Sequence, residues 1–411
     1  MSPAVLVFDD GGIAARIAEF RKLRGLTQGG LAMRVPCSKS LVSQVERGRT
    51  PATPWFVGAV ARALGVELTE LLGQPYRGTT ERTDRAHAGI PQIRIALNYW
   101  GIPSEPEFAP RPLDVIRQDV EAVGRLLDQV DYIGLGAQLP GLIEELSAVY
   151  HDSAGAERRD AAELLMYAFI AAKSVAYRLG YVDLVSVALD RAVQAARVTD
   201  SPQLAAFIAE EHSQVFFATG GYRVGVKFME KASSEFDGLT GGSEPGLAVA
   251  GSMYLRCAIM AAREPALRQD AWGYLEQARE IGERIGRDTN HYGLIFGPSN
   301  VAIHGVATAL ELEDPDTAVR LSEDFTPPPD LPVERSSHHY IDVARARLLV
   351  GQPALALSTL ETADKLAPQH TRNHPMARET VRALIRHHSA VPEPLRSMAT
   401  RMGVTPARAN Y

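Results

Sequence analysis

The sequence predicts an all-α protein, and three observations carry that expectation. Apolar residues recur at three- and four-residue spacing along nearly the whole chain, with hardly any of the strict alternation that a half-buried strand requires. Glycine, proline, serine and threonine stand where helices must start or stop. Four later segments repeat one plan, a turn followed by an alanine-rich amphipathic helix: LGYVDLVSVALDRAVQAA, TGGYRVGVKFMEKASSEF, LEDPDTAVRLSEDF and VGQPALALSTLETADKLAP. At 411 residues the chain is too long for one core and implies two or three domains, or one domain plus a repeat array.

Composition excludes several classes. With 45% apolar and 22% charged residues the chain lies outside the ranges of disordered, collagenous and membrane proteins. The densest apolar run, Leu164 to Ala172, is far shorter than the ~20 residues a membrane crossing needs, so no transmembrane helix and no membrane partner are expected. The opening MSPAVLVFDD lacks a basic stretch and turns acidic early, which argues against a secretory signal. Cys37 and Cys257 are the only cysteines, too few for a disulfide framework, and the expected compartment is the cytoplasm. The net charge of −6 hides an asymmetry: residues 11–75 carry nine basic against four acidic side chains, so a small cationic module is joined to an anionic body.

The cationic module reads as five short helices. Ile13, Ile17, Phe20 and Leu23 share one helical face, and Gly25 closes that helix. Thr27 caps a second helix with Leu31, Ala32 and Val35 inward, stopped at Pro36. Ser38 caps a third, in which Val42 and Val45 are buried while Lys39, Ser40, Ser43 and Gln44 project outward. Thr53 and Pro54 start a fourth, with Val57, Val60 and Leu64 inside, before a last VELTELLG turn. Two helices joined by a tight turn, the second short and polar-faced, describe a helix-turn-helix.

The run LTQGGLAMRVPCSKSLVSQVERGRTPATPWFVGAVARALGVELTELL resembles the Xre/Cro/C1-type helix-turn-helix family in its LTQ, LA, serine-rich third helix, E-x-G and ALGV anchors. The resemblance implies that the third helix enters the major groove of double-stranded DNA. By position it places Gln28 on a phosphate, Ser38, Lys39, Ser40, Ser43 and Gln44 at the DNA face, and Arg47 and Arg49 on the backbone. Gly29 and Gly30 depart from the pattern, each costing the second helix up to ~1 kcal/mol.

Residues 11–75 are therefore expected to form the DNA-binding domain, 76–112 a linker with a connecting helix, 113–390 the repeat array and 391–411 a tail. The array resembles divergent tetratricopeptide repeats, an α-solenoid of helical hairpins in which each hairpin buries its apolar face against the next and leaves a concave inner wall. The combination resembles homodimeric regulators that read an inverted-repeat operator and sense a peptide or another small effector through the repeats. The alternative is an interaction scaffold whose repeats recruit a macromolecule to DNA.

Enzyme chemistry finds no support in the motifs: HExxH, CxxC, P-loop and GxSxG patterns are absent, and neither a cofactor nor a catalytic residue is expected. The pairs His338–His339 and His387–His388 point about 100° apart on a helix, so neither holds a metal without outside ligands, and no metal is expected. The acidic run Glu311, Glu313, Asp314, Asp316 reads as a solvated turn.

For the effector, HYGLIFGPSNVAIHGVATALEL places Asn300, His304 and Thr308 every fourth residue, on one polar face, with Ile303, Val306 and Leu310 on the packing face. By analogy with peptide-sensing relatives, Asn300 is the expected backbone clamp, with His304, His291 and Tyr292 beside it. Helix capping is the plain alternative for Asn300.

Overall fold

The computed structural model describes residues 12–77, 84–102, 109–240, 242–388 and 390–404, with the backbone alone at 237–240. The start of the chain, part of the polar linker, part of the proline-rich IPSEPEFAPRP and the end of the tail lie outside these residues.

Five helices form the N-terminal domain: α1 (Gly12–Leu23), α2 (Gln28–Arg34), α3 (Lys39–Glu46), α4 (Pro54–Leu64) and α5 (Leu68–Leu72). Their ends are set locally. The hydroxyls of Thr27, Ser38 and Thr53 accept from the backbone N–H of Gly30, Leu41 and Phe56, and Gly65 ends α4 in the left-handed conformation that glycine adopts without cost. Ile13, Ile17, Leu31, Val35, Val42, Val45, Val57, Val60 and Leu64 fill the core. Phe20 is only half-buried and Leu23 is 70% exposed, so the first helix buries a shorter stripe than its spacing predicts.

The rest is built of antiparallel helix pairs. Gly155–Leu179 pairs with Val182–Thr199, Glu244–Ala262 with Ala271–Ile285, Pro298–Glu311 with Pro315–Glu323, and Val333–Leu349 with Pro353–Leu366. Pro202–Glu211 and Ser213–Thr219 together oppose Tyr222–Thr240, and Pro375–His387 opposes Glu393–Met402. The second helix of each predicted hairpin starts after a left-handed residue: Gly180, Gly220, Glu313 and Gly351. Glu313 holds that conformation at φ 65° without being glycine.

Helix Glu244–Ala262 is the one described helix long and apolar enough to cross a membrane, at a mean hydropathy of 1.3, and 72% of that window is buried inside the protein. Arg256 interrupts its apolar run, which is why the sequence shows no unbroken apolar span there. A second departure is the two-stranded hairpin Thr289–His291 with Leu294–Phe296, paired in the register Thr289 to Phe296. Phe296 is fully buried, its ring lying where a Cβ on Gly251 would approach to 2.0 Å.

The predicted linker is not a free tether. Its helix, Ile90–Tyr99, buries Ile90, Ile93, Ala96 and Leu97 in the main repeat core, and Gly89 meets Gly136 backbone to backbone. The array also closes on itself. Gln369 Nε2 donates to Asp131 Oδ1 at 2.9 Å, its side-chain oxygen Oε1 accepts from the Ile133 N–H at 3.3 Å, and Tyr132 Oη lies 3.2 Å from His370 Nδ1. Onto this frame the N-terminal domain docks: Met376 completes its core, and the Arg62 guanidinium donates to the Gly220 carbonyl at 3.1 Å.

Candidate nucleic-acid interface and interior cavities

The outward face of α3 is built by its caps. Ser38 is exposed and spends its hydroxyl on the Leu41 N–H at 3.1 Å, which fixes where the helix begins. Lys39, Ser40 and Gln44 are exposed and Ser43 half-buried, while Val42 and Val45 turn inward. Gln44 donates to Ser40 Oγ at 3.2 Å and accepts from Thr50 Oγ1 at 3.1 Å, so its amide is held upright on the surface. Arg47 and Arg49 are exposed just beyond the helix. This arrangement can present donors and acceptors to base edges between cations that suit phosphates.

Gln28 sits differently from the expected phosphate contact. Its Nε2 donates to Glu46 Oε2 at 2.9 Å, and the same carboxylate takes the Arg21 guanidinium at 2.6 and 2.9 Å. Burial works against the charge on Glu46, yet these donors hold its carboxyl below the usual range. The fork ties α1, α2 and α3 together. Nothing in the local spacing of Arg21 and Glu46 marked it, because the two are 25 positions apart.

Inside the array lie two adjoining cavities, of about 500 and 220 Å³. Arg178, Arg256, Glu334 and Arg335 line both. Arg178 meets Glu334 at 2.6 Å, and Arg256 meets the fully buried Glu210 at 2.8 Å. Burial disfavours the charge on Glu334, but Arg178 and Arg335 keep its carboxyl far below the ordinary range. Burial lowers Lys173, paired with Glu211, to about 7. The larger cavity adds an apolar side of Leu164, Ile170, Phe207 and Tyr292. The smaller one is roofed by the N-terminal domain, through Pro54, Val57, Leu68 and Leu72.

The four expected effector residues do not line one common cavity, although His304 Nδ1 lies 2.8 Å from the Asn300 carbonyl. Tyr292 lines the larger cavity, packed on Phe207 at 5.7 Å, and His304 lines the smaller one. His291 instead meets Glu244 at 3.0 Å. Asn300 is 1% exposed and donates to the Ile295 carbonyl at 2.8 Å, which pins the strand hairpin to helix Pro298–Glu311. Neither Asn300 nor Ser299 caps that helix: Gly297 holds the cap position, and Asp288 Oδ1 accepts from the Ser299 N–H at 3.0 Å. The interior arginines come from three different hairpins and share no local pattern, so spacing along the chain does not mark them.

Glu311 is not in a solvated turn. It is 4% exposed and pairs with Arg263 at 3.0 Å, leaving Glu313, Asp314 and Asp316 at the surface side of the turn.

Residues 13–72 match the protein family described as a helix-turn-helix domain, and the five helices have that fold. No curated protein matches the chain. Among solved structures it is similar to PlcR of Bacillus thuringiensis, determined in complex with the peptide PapR7 and DNA, at 14% identity and a TM-score of 0.29 over 66% of this chain and 95% of that one.

Proposed function

We propose that this protein is a sequence-specific DNA-binding transcriptional regulator that acts as a homodimer on an inverted-repeat operator, with binding controlled by a peptide or small-molecule effector held inside the repeat array. The match of residues 13–72 to a helix-turn-helix domain supports the DNA-binding half. Two-fold symmetry then sets half-sites one helical turn, ~34 Å, or a multiple apart.

One observation carries the control half. The domain bearing the exposed α3 face is itself a wall of the interior: Pro54, Val57, Leu68 and Leu72 stand across the smaller cavity from Arg178, Arg256 and Glu334. An occupant of that space touches the DNA-binding domain and the repeats at once, so its binding energy acts directly on their relative placement. Convergent charge in a partly open cavity suits a small polar ligand better than a recruited macromolecule, which needs a broad apolar surface.

The test begins with selection from a random duplex pool by the full chain. A two-fold symmetric motif is expected, and no enriched motif would sink the reading. Operator affinity is then compared for Leu72→Trp, which fills the smaller cavity from the DNA-binding side. A change of about tenfold without altered base preference is expected, and unchanged affinity would favour the scaffold alternative.

A further inference from the structure

His338 finds outside ligands that its own helix denies it. His370, from helix Pro368–Asn373, and His374, at the junction with helix Pro375–His387, converge on it, and one nitrogen from each of the three rings lies within 4.8 Å of the others. The ring centroids are 5.0 to 5.7 Å apart. We propose that His338, His370 and His374 form a binding site for a divalent transition-metal ion, zinc by preference, at the closing seam of the array.

The chemistry of the donors fits. Three imidazoles with a free fourth position are a standard zinc set, and they also take cobalt, nickel or copper, while hard cations such as magnesium and calcium prefer oxygen. Nε2 of His370, a residue 3% exposed, is buried without a hydrogen-bond partner, which an uncompensated polar atom rarely is. Its Nδ1 lies 3.2 Å from the Tyr132 hydroxyl, so a ring ligating through Nε2 keeps its proton on Nδ1 and donates it there, the outer-shell contact metal-bound histidines normally make. Asp342 Oδ2, 3.8 Å from His338 Nε2, supplies a nearby carboxylate.

Neutral imidazole is the form that binds metal. The nearby cations are already spoken for, Arg178 by Glu334 at 2.6 Å and Arg345 by Asp342 at 2.8 Å. His338 and His374 border the smaller cavity, which gives an ion its route and leaves the fourth position to water. Tetrahedral zinc with bonds near 2.05 Å sets ligand nitrogens about 3.3 Å apart, so the rings must draw in by rotation of their side chains.

Loading has one definite local consequence. His374 Nδ1 accepts the Ala377 N–H at 3.4 Å and caps helix Pro375–His387. Metal at Nδ1 displaces that bond, and metal at Nε2 moves the ring proton onto Nδ1 and ends it equally. The helix that loses its cap is the one whose Met376 enters the core of the helix-turn-helix domain. The ion thus acts at the mount of the DNA-binding domain, and this inference does not depend on the effector reading.

The test uses the intact chain, stripped with a chelator and titrated with Co²⁺ and then Zn²⁺. Expected are one ion per chain, a visible cobalt spectrum typical of nitrogen ligation, displacement of cobalt by zinc, and faster hydrogen exchange at the Ala377 amide on loading. His338→Gln, His370→Gln and His374→Gln should each weaken binding at least tenfold, while His387→Gln and His388→Gln, on the other histidine pair, leave it unchanged. Far-ultraviolet circular dichroism keeps a misfolded variant from counting as support. The site is overturned if the wild type takes up no stoichiometric ion, or if folded variants of the three histidines bind as the wild type does. Metal uptake with an unchanged Ala377 exchange rate would overturn the link to the mount.

Discussion

Gln28 Nε2 donates to Glu46 Oε2 at 2.9 Å, on the carboxylate that the Arg21 guanidinium grips from its other side. The amide of Gln28 is thereby engaged within the protein, and the three residues fix the angle at which α3 leaves the domain. Glu46→Gln keeps the shape and removes the charge. Breaking a well-buried pair costs about 3–5 kcal/mol, and with the Arg21 and Glu46 side chains 10% and 5% exposed a loss of about 2–3 is expected. The pH dependence has a fixed sign. Because the Glu46 pKa is lowered on folding, its stabilisation is complete above the unfolded carboxylate value and disappears as pH falls through the folded one. Denaturant titrations of wild type and variant should therefore differ at pH 7 and converge in acid.

On the proposed DNA face the residues divide by role. Ser40→Ala and Gln44→Ala should change which base is preferred, since those side chains stand where base edges would lie. Arg47→Ala should weaken all sequences alike and flatten the salt dependence by about one unit of slope, the mark of one lost phosphate contact. Binding curves on operator and scrambled duplex at several salt concentrations separate the two, and a shifted base preference in Arg47→Ala would contradict the assignment.

Gly29 has no structural need to be glycine. A Cβ there would meet Thr27 Oγ1 at 3.8 Å and Lys39 Cδ at 3.9 Å, both ordinary contacts. Gly29→Ala should stabilise α2 by about 0.5–1 kcal/mol, through the backbone entropy glycine loses in a helix. Slower hydrogen exchange of the α2 amides checks this, with operator affinity expected within twofold of wild type.

Gly251 is the opposite case. A Cβ would lie 2.0 Å from the Phe296 ring, so Gly251→Ala must displace the strand hairpin or the helix beneath it, a cost of about 3 kcal/mol, at the upper end of overpacking penalties. Phe296→Leu in the same chain should recover part of the loss. Strictly additive effects of the two substitutions on melting would show that they do not share this space.

Asn300→Ala removes the buried bond to the Ile295 carbonyl and should lower stability by about 1–2 kcal/mol. A calorimetric melt identical to wild type would show that the strand hairpin is held by other means.

What the sequence determined by itself is what neighbours within one turn of helix decide. Thr27, Ser38 and Thr53 cap the helices they were expected to cap, and Gly180, Gly220 and Gly351 turn the hairpins, because a hydroxyl reaching an N–H three residues on, or a backbone free to take positive φ, needs no distant partner. The outward set on α3 was legible for the same reason: helical spacing alone separates Lys39, Ser40 and Gln44 from Val42 and Val45. Asn300 and His304 show the limit. Their spacing put them on one face, but what that face meets depends on a strand hairpin folding back over the helix, where the amide nitrogen of Asn300 is engaged by the Ile295 carbonyl and its Oδ1 is buried without a partner. Only tertiary structure could set Arg178 against Glu334 or bring His338 to His370 and His374, because the closure of the superhelix, not local spacing, determines which positions share its interior.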